Sequence, residues 1–184
     1  MTGASVERDR GLPWWPYHAW RCEGGAATLE FVLVVPVLLL IFLSAFEAGL
    51  LMTRKIMLER GVDMTMRELR LGQYTNPNAD LIKEEICDRA IILRNCATSI
   101  RIELSPVSMT TWAFPAQATG CVDREASIQP PTKFTPGAPH EIMLIRVCIL
   151  QETLFPTTGV GLRLPKLNGN EYAITATSAF VNEP

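Results

Sequence analysis

The chain has only two histidines, His18 and His140, and no two of its cysteines stand at the CxxC spacing. A zinc site of the usual Cys/His spacing and thioredoxin-like redox chemistry are both poorly supported by that inventory. A Ser-His-Asp triad would have to use His140, which lies in a proline-rich stretch and reads as an exposed loop residue. There is no basic block either. Lys+Arg number 17 against 19 Asp+Glu, a net charge of −2, which argues against nucleic acid as a partner. The glycines of the stretch 159–162 lack the phosphate-loop lysine and the dinucleotide-binding spacing. Asp63 with Glu68, and Glu84 with Glu85, read as ordinary acids of helix surfaces. No internal repeat, cofactor site or active site is legible, so the chain is not expected to be an enzyme.

What the chain does have is one long apolar stretch. Phe31 to Phe46 is interrupted only by Ser44, and the wider segment Ala26 to Met52 carries two carboxylates, Glu30 and Glu47. A helix rises about 1.5 Å per residue, and a bilayer core of roughly 30 Å takes about 20 apolar residues. The segment is therefore long enough to span, and a spanning backbone must pair its own polar groups in a helix. Pro36 removes one ladder hydrogen bond and is a candidate kink. Glu30 has two readings. It is either a carboxylate held at membrane depth for a purpose, or an interfacial acid that favours the positive end of the helix dipole.

Gly25 is followed by Ala26, Ala27, Thr28, Leu29, Glu30, Phe31 and then the apolar run. This order resembles the class III signal of type IV pilin-like proteins. The resemblance implies a prepilin peptidase that cuts after Gly25, a new N-terminus at Ala26, and Glu30 as the fifth mature residue. Phe31 stands where the Tad (tight adherence) pilins often have tyrosine. The wider block 24–64 looks like the TadE-like minor pilins of Tad pilus systems, and the C-terminal AITATSAFVNEP resembles the end of those chains. The implied role is a minor pilin or pseudopilin in the assembly of a Tad-type adhesion pilus. Its implied partners are the lipid bilayer, the prepilin peptidase and the other pilins and minor pilins of the machine. The rival reading is an uncleaved single-pass protein with a periplasmic binding domain.

The expected organisation is a cytoplasmic leader over 1–25, a transmembrane helix over 26–52, and a periplasmic α+β domain over 53–184. The leader carries Arg8, Arg10 and Arg21 among three acids, and Trp14, Trp15, Tyr17 and Trp20 fall around Pro13 and Pro16. It does not read as an ordinary secretory signal, because Glu23 and Glu30 abut the apolar run. Charge alone does not fix the orientation. Three arginines precede the span, while Arg54, Lys55 and Arg60 follow it closely and would favour a cytoplasmic C-terminal side. The downstream cysteines and the family resemblance imply the opposite: an inner-membrane protein, N-terminus inside and domain in the periplasm, with incorporation into the pilus left open.

Of the five cysteines, Cys22 would leave with the leader, and Cys87, Cys96, Cys121 and Cys148 remain. An even set in a small exported domain suggests two disulfides. Three pairings exist, and four reduced buried thiols are the alternative. The preferred pairing is Cys87 with Cys96 and Cys121 with Cys148. The first requires the chain to turn back soon after Cys87, because nine residues of straight helix would separate the two by roughly 13 Å.

The expected fold is α+β: a long N-terminal helix that continues into a small domain with a second helix and a sheet of three to four antiparallel strands. Leu58, Val62, Met66 and Leu69 form one helical stripe, with Arg67, Arg70 and a C-cap at Gly72 closing it near Leu71. Gly61 is a candidate soft point. Asn78 or Asp80 can cap a second helix reaching about Leu93, with Lys83, Glu84, Glu85 and Arg89 on its solvated face. Strands are expected over Ser99–Val107, Glu141–Leu150 and Tyr172–Val181. Between them, 108–139 and 153–167 read as loops, with Trp112 and Phe114 laying the first on the core.

Overall fold

The structure is a computed structural model and describes residues 26–114, 120–122, 132–167 and 169–183. The leader with Gly25 and Cys22, and the loop prolines Pro115, Pro130 and Pro131, lie outside the described residues. Packing divides the chain into two units, Met1–Ile41 and Phe42–Pro184.

Helix α1 runs Ala26–Arg70, 45 residues with Pro36 inside it. It is the one helix among the described residues with the length and composition to cross a membrane. Within the first unit its side chains are open: Leu29, Phe31, Val32 and Leu33 are all more than 60% exposed. A helical stretch that is apolar all round suits an apolar surrounding.

In the second unit α1 becomes a core helix. Leu58, Val62, Met66 and Leu69 are all buried, so the stripe packs against the rest of its own domain. Each fully buried side chain of this kind contributes roughly 1.5–3 kcal/mol. The helix ends in a left-handed glycine, Gly72 at φ 67°. Gly72 N–H donates to Leu69 O and Gln73 N–H to Glu68 O, which satisfies carbonyls that α1 would otherwise leave open.

Helix α2 spans Ala79–Arg89, and the Asn78 side chain caps it by accepting from Leu81 N–H at 2.8 Å. It stops short of Leu93 because the chain turns back at Ala90. That turn brings Cys96, at the start of the one-turn helix α3 (Cys96–Ser99), to the sulfur of Cys87, with Cα atoms 5.6 Å apart. Gly61 is not a soft point. α1 is unbroken there, and Gly61 is where α2 comes closest: a Cβ on it would stand 3.0 Å from Ile86 O and 3.5 Å from Ala90 Cβ.

Strands β1 (Ile100–Val107), β2 (Ile142–Glu152) and β3 (Glu171–Val181) form one antiparallel sheet in the order β1-β2-β3. The register pairs Ile102 with Val147 and Val147 with Ala176. These three, with Ile100, Leu104, Ile145, Ile149 and Ile174, face the helices and complete the core. Successive strand residues point to opposite faces, so Cys148 lies on the far face, where it is joined to Cys121. β1 is an edge strand and tolerates Pro106 for that reason. Its open edge is partly covered, since Leu104 N–H donates to Lys133 O and Thr135 N–H to Leu104 O.

Two further expectations change. Trp112 and Phe114 do not lay their loop on the core; they are 65% and 69% exposed. The stretch 153–167 is not merely a loop. It contains a short helix, α4 (Gly159–Arg163), and packs back on α1.

Candidate functional site

The residues singled out by sequence at the N-terminal end separate into described and undescribed. Gly25 lies outside the described residues, and Ala26 opens α1. Glu30 stands one turn in, exposed along with its neighbours Leu29 and Phe31. Helix-dipole stabilisation fades beyond the first turn. Glu30 forms no salt bridge with another described residue, so any stabilising partner has to come from elsewhere.

The most elaborated polar constellation is further along α1. Glu47 is 1% exposed, although it stands at the end of the apolar run. Its carboxylate accepts from Leu154 N–H at 3.1 and 3.2 Å through its two oxygens, and from Phe155 N–H at 3.1 Å. Successive backbone amides aimed at one carboxylate make an anion-binding hollow, with the anion supplied by the helix. Phe46, one residue earlier, meets the Phe155 ring edge-on with centroids 6.3 Å apart.

Two turns later Arg54, 3% exposed, holds the other end of the same segment. Its Nη1 donates to Glu152 O and to Tyr172 Oη, both at 2.8 Å, and its guanidinium lies 6.0 Å from the Tyr172 ring centroid. Arg54 Nε is buried without a hydrogen-bond partner among the described residues. Residues 152–155 are thus fastened to α1 at both ends, by an acid and a base seven positions apart on one helix face.

The chain then closes on α1 once more. Gly159 has φ +47° and sits directly on Ser44, where an added Cβ would collide with the serine side chain. Only glycine meets both demands. Lys166 Nζ donates to Pro156 O at 2.7 Å and ties off the segment. Leu154 and Leu162 remain exposed.

A second cluster fixes α1 to α2. Arg89 Nη2 meets Glu68 Oε2 at 2.7 Å and Glu85 Oε2 at 2.9 Å, while its Nη1 donates to Thr65 Oγ1 at 2.7 Å. Tyr74 Oη donates to Glu68 Oε2 at 2.6 Å. Burial first, and the bond to the Glu68 carboxylate second, push the Tyr74 phenol up to about 12. Arg89 therefore joins α2 to α1 through Glu68 and Thr65, steadied by Glu85 on its own helix, rather than lying on a solvated face.

Sequence reading found Glu30 from its setting but not the roles of Glu47 and Arg54. A signal was present. Glu47, Leu51, Arg54, Leu58 and Val62 recur at i, i+4, i+7, i+11 and i+15, so the two charges fall inside the apolar stripe.

Residues 25–67 match the family model described as TadE-like protein. The match begins at Gly25 and ends inside α1, so it covers the helix and not the sheet. No curated protein and no solved structure matches the chain.

Proposed function

We propose that this TadE-like chain is a minor pilin or pseudopilin that takes part in assembling a Tad-type adhesion pilus, after a prepilin peptidase cuts between Gly25 and Ala26. The observation that carries this reading is one coincidence of position. The family match starts at Gly25, and Glu30 lies fifth after the cut, at the head of a helix long and apolar enough to cross a membrane. Beyond that helix the chain folds into an α+β domain. In this reading α1 anchors the protein in the inner membrane with its N-terminus cytoplasmic and the domain periplasmic. Two disulfides, Cys87–Cys96 and Cys121–Cys148, suit that oxidising compartment.

Cleavage would create an α-ammonium at Ala26. At membrane depth the Glu30 carboxylate is costly alone, and a neighbouring subunit's ammonium would neutralise it and set the axial register of two chains. Breaking one half of a buried pair costs about 3–5 kcal/mol, more than most single contacts supply. The other partners of this reading are the peptidase and the remaining pilins of the machine.

The test is mass spectrometry of the membrane form. An N-terminus at Ala26 supports the reading, and Gly25→Ala should slow processing. An intact Met1 in pilus-bearing cells would leave a plain single-pass anchor. Glu30→Gln should leave cleavage largely intact and impair assembly; normal piliation in that variant would remove the pairing.

A further inference from the structure

We propose that the segment Glu152–Leu167, strapped to α1 at Ser44, Glu47 and Arg54, rests in the headgroup layer of the bilayer and sets how deep α1 sinks. The proposal rests on the reading of α1 as membrane-spanning, and it shortens the span to about Phe46. From Ala27 to Phe46 is about 20 residues, roughly 30 Å of helix, which is one hydrocarbon thickness. The next residue, Glu47, spends its carboxylate on the amides of Leu154 and Phe155. The strap is therefore fastened where the apolar run ends.

The chemistry of the strap fits that layer. Its apolar side chains are left open: Leu154 is 44%, Leu162 62% and Leu167 46% exposed, beside Phe46 at 50%. Residues 153–170 carry only two charged side chains, Arg163 and Lys166, both cationic. Exposed leucines with flanking cations suit an anionic interface, where long basic side chains reach the headgroups while the apolar groups dip below them. In open water the same surface would leave leucines uncovered. Polar tethering also has a purpose at this depth. The Glu47 and Arg54 bonds satisfy the Leu154 and Phe155 amides and the Glu152 carbonyl inside the protein, so the strap brings few open backbone groups to the lipid.

The test uses the full chain reconstituted in vesicles of phosphatidylcholine and phosphatidylglycerol. A diazirine-bearing amino acid is placed in turn at position 162 in the strap, 39 within the apolar run and 91 on the domain surface, where Ile91 is 87% exposed. After irradiation, adducts are identified by mass. Lipid adducts at 39 and 162, with a yield at 162 several-fold above that at 91, are the expected result. Lipid adducts at 39 but not at 162 overturn the strap's placement and leave the membrane span standing. Protein–protein adducts at 162 in place of lipid overturn it too, and make a second copy the occupant. Absence of lipid adducts at both 39 and 162 removes the span and the strap together. Position 154 serves as the second strap site if the chain labelled at 162 does not fold.

Discussion

The carboxylate of Glu47 and the backbone N–H of Leu154 are hydrogen-bonded at 3.1–3.2 Å although 107 residues separate them in the chain. This bond makes a mid-helix acid the anchor of the β2–β3 connection. Replacing Glu47 with alanine leaves the Leu154 and Phe155 amides without their acceptor. The expected loss is about 1–3 kcal/mol, the cost of partly buried donors left open. Glu47→Gln keeps one acceptor oxygen but not the charge, and should lose less. Urea unfolding in detergent measures the loss. Trypsin cleavage after Arg163 and Lys166 should quicken in the alanine variant, which reports the release of the strap rather than general loosening.

Gly61 separates two opposed effects. Alanine gains about 1 kcal/mol of helix propensity over glycine. Its Cβ would sit 3.0 Å from Ile86 O, so α2 must shift by a few tenths of an ångström. Gly61→Ala should therefore be close to neutral. Gly61→Val adds bulk against backbone that the Cys87–Cys96 bridge holds in place, and should cost about 1–3 kcal/mol or more. Thermal melting of the three forms tests the order.

The two disulfides should differ in worth. Cys87–Cys96 spans a sequence separation of 9 and Cys121–Cys148 one of 27. Loop-closure entropy then gives roughly 2.6 and 3.6 kcal/mol. The paired alanine variants should lose stability in that order under denaturant. Alkylation of the membrane form without reductant should leave all four thiols unmodified.

Tyr74 should titrate late. Its phenol is raised to about 12 in the folded chain from an ordinary value of 10.0. A raised folded value means that the folded state holds the proton longer. The contribution to stability is complete below pH 10 and is lost as pH climbs from about 10 through about 12. Ultraviolet titration should show a tyrosinate step near pH 12 that Tyr74→Phe abolishes. The same variant should flatten the fall in stability over that interval.

The local parts of this fold were readable in one dimension. The apolar run, the stripe from Leu58 to Leu69, the Asn78 cap, the Gly72 stop and the three strands, two alternating and one more apolar, all depend on residues within a few positions of each other. Gly25 and Glu30 drew notice for the same reason, since they stand in one short contiguous stretch. Glu47 and Arg54 were not. Taken as residues of an apolar helix they look like the margin of a span, and nothing nearby in sequence reveals the amides and the tyrosine that receive them.

The sequence by itself settled that α1 is fit to cross a membrane and, among the described residues, where the strands and caps fall, because backbone periodicity and capping are short-range. Tertiary structure alone decided that Gly61 is a helix crossing, that Arg89 gathers Glu68 and Glu85, and that the β2–β3 connection folds back to Ser44 and Glu47. Those outcomes depend on which surfaces meet once the sheet has closed. Pairings between residues more than a hundred positions apart leave no local pattern from which they can be read.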